Sequence, residues 1–152
     1  MERMEAWVRL GAALVCADGN VTPEEMDSMA SLASTLARLD GATARRYLDE
    51  ARGGTAPAFE SVLAGLGASS PDRAIEGLRK CYRIVVADGE EHPAEVALLR
   101  SAAERLLGAG NGDRALVFLR HDHETVKLRD VLENAAFDAG CHVESVQAGG
   151  EA

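Results

Sequence analysis

Aromatic residues are scarce, with three Phe, two Tyr and one Trp among 152 residues, whereas Ala and Leu are abundant. Sheets draw on aromatic and β-branched side chains, and close-packed helices on Ala and Leu, so the balance argues for a helical protein. Long apolar runs are also missing. Leu10 to Ala17 is too short to span a bilayer, and acids precede it at Glu2 and Glu5, so neither direct membrane insertion nor a signal peptide is expected. Cysteine is limited to Cys16, Cys81 and Cys141, an odd number, widely spaced and without a metal-ligand pair or redox motif. That usage fits reduced thiols in a cytoplasmic protein, with two of them serving as small core residues. Positive charge is short as well: 16 Lys and Arg face 25 Asp and Glu, and the formal charge of -9 opposes a phosphate backbone. Nucleic acid is therefore not an expected partner.

Catalytic signatures are absent too. The chain has no Ser-His-Asp signature and no zinc-protease His-Glu pair. The glycine-rich stretch Gly108 to Gly112 lacks the Lys-Ser or Lys-Thr ending that would hold nucleotide phosphates, and it follows no strand. No proline-rich linker divides the chain, whose length suits one domain with a sizeable core.

What is present is a repeat. Ala17-Asp18-Gly19-Asn20-Val21-Thr22-Pro23-Glu24-Glu25 returns loosely, 70 positions later, as Ala87-Asp88-Gly89-Glu90-Glu91-His92-Pro93-Ala94-Glu95. Apolar residues keep the same register: Met29, Leu32 and Ala33 answer to Leu99, Ala102 and Ala103, and Val8, Ala12 and Val15 to Leu78, Tyr82 and Val85. Two units are too few for a solenoid, so the expectation is a compact domain with an internal pseudo-twofold. Trp7 pairs in this register with Gly77, so its bulk stands outside the duplicated pattern. It is expected in the core, filling an asymmetric gap or meeting a tail helix.

Helical periodicity and stop signals give the elements. A first helix spans about 3 to 17 and ends at Gly19. The second starts at Pro23 behind a Thr22 cap and runs to about Leu39. Thr43 caps a shorter third, stopped by Gly53-Gly54, and Phe59 to Leu66 is the fourth. Ser70-Pro71 opens a fifth that reaches Asp88-Gly89, and Pro93 a sixth that ends before Gly108. Arg114 to Leu119 reads as a short seventh. After a turn at His121-Asp122-His123, a further helix from about Glu124 to Phe137 docks back on the domain or pairs with a second molecule as a homodimer. The domain plan is thus 1-120 for the bundle, 121-139 for a helical extension and 140-152 for a flexible tail.

Each Asp-Gly unit has a structural explanation. Thr22, Pro23 and Glu25 form a helix start with a capping box, and Gly19 supplies the positive φ of a tight reversal. His92 is a poorer cap than Thr22, and Glu91 in place of Val21 makes the second turn more polar. The chemical reading is a hard-cation site. If the two units are related by a twofold, Asp18, Glu25, Asp88 and Glu95 converge, with Glu24, Glu90 and Glu91 near, into an all-oxygen cluster suited to calcium or magnesium. An EF-hand is not expected, because the earlier ligand positions of such a loop fall on Leu14 and Cys16.

The paired Ala-Asp-Gly motifs, with Val21 and Glu25 in the first unit and Glu95 in the second, resemble the TerB-like family over about Glu5 to Leu119. That all-helical domain is named for bacterial tellurite resistance and is also found at the membrane-proximal end of some DnaJ-type co-chaperones. The resemblance implies a compact all-α bundle of about seven helices and a non-enzymatic module in stress responses. It also implies metal binding at Asp18, Glu25, Asp88 and Glu95, and a protein partner that includes membrane-associated complexes. The alternatives are a metal-dependent hydrolase using the same carboxylates, with a cation lowering the pKa of water, and a scaffold in which they only cap helices. A secondary metal candidate is His121-Asp122-His123 with Glu124, and His142 beside Cys141 is another.

Overall fold

In the computed structural model, which describes residues 1-17, 19, 21-36, 40-67 and 70-138, the chain is helix and turn. Seven helices appear among these residues: α1 (Arg3–Cys16), α2 (Pro23–Leu36), α3 (Gly41–Gly53), α4 (Phe59–Leu66), α5 (Pro71–Val85), α6 (Pro93–Leu107) and α7 (Gly112–Asp138). Two compact units divide them, Met1–Ala115 and Leu116–Ala152.

In the first unit α1 is the central element and packs against α2, α3, α4, α5 and α6. Its sequence explains the position. Ala6, Trp7, Val8, Leu10, Ala12, Leu14 and Val15 cover most of its circumference, and a helix apolar nearly all round is stable only when enclosed. Gly11 lets its neighbours close in, since a Cβ there would lie 2.6 Å from Leu32 Cδ2 and 3.2 Å from Ile84 Cδ1. α5 packs against α1, α2 and α6.

Trp7 fills the gap left by its register partner. The indole is 3% exposed, and a Cβ on Gly77 would stand 2.5 Å from its Cη2 and Cζ2. A large ring on α1 thus enters the notch of a bare backbone on α5. Arg9, on the other side of α1, joins Glu5 at 2.7 Å and Glu50 at 2.7 Å, and its guanidinium lies 4.1 Å from the Tyr47 ring centre. These contacts fasten α3 to α1 through a mostly buried cation.

Several boundaries differ from the sequence reading. Asp40, not Thr43, caps α3: its extended backbone lets the carboxylate accept the Thr43 N–H at 2.8 Å, and Gly41 begins the helix. Residues 37-39, to which the second helix was expected to run, lie outside the described residues. The short seventh helix and the tail helix are one element, because α7 continues without a break through His121, Asp122 and His123. The expected turn there holds no Gly or Pro to stop a helix, and the polar residues lie on its surface or half-buried. The tail placed at 140-152 is outside the described residues, as are Cys141 and His142.

Candidate functional site

The first Asp-Gly turn follows α1. Gly19 has φ 76°, a left-handed conformation that glycine adopts without a Cβ clash, and it redirects the chain into α2. The capping box at the start of α2 is complete. Glu25 Oε1 accepts the Thr22 N–H at 2.9 Å and the Thr22 hydroxyl at 3.2 Å, while Thr22 Oγ1 accepts the Glu25 N–H at 3.1 Å.

Burial goes further than a capping box requires. Glu25 is 1% exposed, and its second oxygen, Oε2, is buried with no hydrogen bond among the described residues. A surface cap would leave that oxygen to water. A recess of about 460 Å³ opens beside this turn, lined by Cys16, Gly19, Val21, Ala51 and Arg52. Asp18, the other acid expected here, lies outside the described residues.

At the second turn a glycine again has positive φ and a proline again opens the next helix, with different side-chain partners. Gly89 has φ 91°, α6 starts at Pro93, and Glu95 at the position equivalent to Glu25 is 0% exposed. Met29, Leu32 and Ala33 behind the first turn are buried, and so are Leu99, Ala102 and Ala103 behind the second. Asp88 is held on both oxygens. Its Oδ1 accepts the Glu90 N–H at 3.1 Å, and its Oδ2 accepts from His92 Nε2 at 2.9 Å. The His92 hydrogen bond foremost, and then the Glu90 N–H, keep the Asp88 carboxyl below its ordinary range. His92 makes no side-chain cap, as its weakness at that position leads one to expect. Glu91 is bound by the Tyr82 hydroxyl.

Sequence reasoning missed these two partnerships. The His92 one was within reach, because positions four apart across a turn into a helix can meet; Tyr82 and Glu91 sit nine apart and come together only when the chain folds back at Gly89.

Among the described residues, no group of three or more His, Cys, Asp or Glu is placed to hold a metal ion. That statement covers Glu25, Asp88 and Glu95, and also the segment His121-Asp122-His123-Glu124. On α7, neighbours one and two apart face different directions and only His121 and Glu124, three apart, share a face, so this run does not present three ligands to one point. No described helix is long and apolar enough to cross a membrane.

An all-helical bundle with two acid-bearing helix joints is the class of protein that fold and turns define. The model of the family described as tellurite resistance protein TerB matches residues 4–117, three quarters of the chain. The chain belongs to that family. No curated protein and no solved structure matches it.

Proposed function

We propose that this chain is a non-enzymatic TerB-like binding module whose two Asp-Gly turns hold a hard divalent cation, calcium or magnesium. Asp18 and Glu25 act at the first turn and Asp88 and Glu95 at the second. The observation that carries the reading is Glu25 Oε2, a carboxylate oxygen shut off from solvent and lacking a donor among the described residues. A buried carboxylate in that state is costly, and a cation beside it would supply the missing partner. Carboxylate oxygen is the donor that calcium and magnesium prefer, so the residues fit such an ion.

The cation would hold the turns in place, and the helices would fix the separation of the exposed acids around them, Glu24 and Glu90. Such a surface suits a basic patch on a protein partner, including one in a membrane-associated complex during a stress response. The hydrolase reading asks for a water-activating carboxylate open to substrate. Glu25 and Glu95, sealed as they are, suit a structural ion better.

The test is calorimetric titration of calcium, magnesium and zinc into the wild type, Glu25→Gln and an Asp18→Asn, Asp88→Asn double variant. Calcium or magnesium should bind the wild type, and Glu25→Gln should weaken binding about tenfold or more with helical content kept, since one charged ligand is lost. The stoichiometry reads whether the turns share an ion or take one each. Equal binding by all three proteins would sink the proposal.

A further inference from the structure

A second polar site, which shares no residue with either Asp-Gly turn, lies between α2 and α5. These two helices pack on one another, and a crevice of about 60 Å³ between them is lined by Ser28, Ser31, Leu32, Lys80 and Arg83. Ser28 and Ser31 are one turn apart on α2, and Lys80 and Arg83 one turn apart on α5, so each pair shares a helix face. Leu32 is buried, 1% exposed, and the other four residues bring hydroxyls and cations without a carboxylate among them.

Neither cation is firmly neutralised. Among the described residues Lys80 pairs with Glu76 at 3.7 Å, and Arg79 draws on the same carboxylate at 3.7 Å. Arg83 has no ion pair among the described residues, and Ser28 has no hydrogen bond among them. In a chain with formal charge -9, Arg83 and a Lys80 that shares the Glu76 carboxylate with Arg79 set an excess of positive charge next to two hydroxyls.

Helix packing does not ask for these residue types. The repeat places Leu98, Ser101 and Ala102 where Ser28, Ser31 and Leu32 stand, and Leu10 and Ala13 where Lys80 and Arg83 stand. The corresponding helices, α1 and α6, also pack together. A set with one hydroxyl, Ser101, and no cation therefore serves one copy of the joint, and Ser28, Lys80 and Arg83 in the other need a different reason.

We propose that the α2–α5 crevice binds a small oxyanion of phosphate type. Lys80 and Arg83 would supply charge-assisted hydrogen bonds, Ser28 and Ser31 neutral ones, and Leu32 a floor that keeps water off one side. The crevice, of about 60 Å³, has room for one such group. This site is independent of the cation reading and stands or falls apart from it.

The test is an NMR titration of the full chain with inorganic phosphate and with sulfate, at constant ionic strength and without divalent ions. Amide shifts should concentrate at residues 28-32 and 80-83. Lys80→Met with Arg83→Met should weaken binding about tenfold or more, and Ser28→Ala with Ser31→Ala less, because ionic hydrogen bonds are the stronger ones. Lys80→Arg with Arg83→Lys keeps the charge and should keep binding, which separates loss of the site from loss of the fold. A parallel titration with glycerol 3-phosphate tells a free ion from the phosphate group of a larger molecule: weaker binding than phosphate assigns the former, tighter the latter. Shifts spread over the whole surface, or equal affinity in the Lys80→Met, Arg83→Met variant, would overturn the site.

Discussion

Replacing Gly77 with Ala should destabilise the protein, although helix propensity alone says the opposite. Gly77 lies inside α5, where the change to Ala is worth about 1 kcal/mol in favour of the helix. Against this stands the Trp7 ring. The new methyl would meet Cη2 and Cζ2 at 2.5 Å and Cε2 at 2.7 Å, well inside van der Waals contact. An indole is rigid, and this one is 3% exposed, with α1 buried around it, so it cannot swing aside as a flexible side chain would. Overpacking of a filled core costs about 1 to 3 kcal/mol, and a rigid ring met at three atoms belongs at the upper end. The net is a loss of about 2 kcal/mol, which for a chain of this size lowers Tm by about 4 to 8 °C. Thermal and urea unfolding followed by far-ultraviolet circular dichroism measure it. A Trp7→Phe, Gly77→Ala double variant should be more stable than the two single losses added together, because the smaller ring makes room for the methyl. A rise in Tm for Gly77→Ala, or strict additivity in the double variant, would refute the notch.

Two more outcomes follow from the buried and paired groups. Burial pushes the Cys81 thiol up to about 12, so in a Cys16→Ser, Cys141→Ser background a thiol reagent at about pH 8 should label it only as fast as the protein opens. Labelling of the native protein without denaturant dependence would contradict its place in the core. For Asp88, the folded state holds the carboxyl below its ordinary value of 3.8. The stability this brings is therefore complete above that value and is lost as pH falls through the lower folded-state pKa. His92→Ala should flatten the loss of stability below about pH 4 relative to wild type, measured by urea unfolding across that range. An unchanged acid limb would show that the pair contributes nothing.

The joints were legible before any coordinates because their chemistry is local. Thr22, Pro23 and Glu25 fall within one helical turn, and a capping box needs nothing beyond those residues and the start of a helix. Gly54, Gly67 and Gly108 likewise stop helices where short-range signals put them. Where two local signals competed, the reading failed. Asp40 and Thr43 are both good caps, and the choice went to the residue whose carboxylate reached the free N–H groups. The break expected at residues 121 to 123 rested on polar composition, which a helix with a solvent face tolerates as well as a turn does.

Burial was beyond the sequence. An acid in the first turn of a helix is ordinarily a surface residue, and nothing in the residues around Glu25 says that its second oxygen is sealed. That depends on how α2 lies against α1 and α5, which only packing fixes. The same holds for Lys80 and Arg83 opposite Ser28 and Ser31, near 50 positions apart in the chain and brought to one crevice by helix contact. The sequence by itself determined the first six helices and the starts of α2 and α6 after the Asp-Gly motifs, because hydrogen-bond capping and apolar period act over a few residues. Tertiary structure alone decided which carboxylates lost their water, which cations came to line the α2–α5 crevice and that Trp7 takes the space of Gly77, because desolvation and packing are set by neighbours distant in the chain.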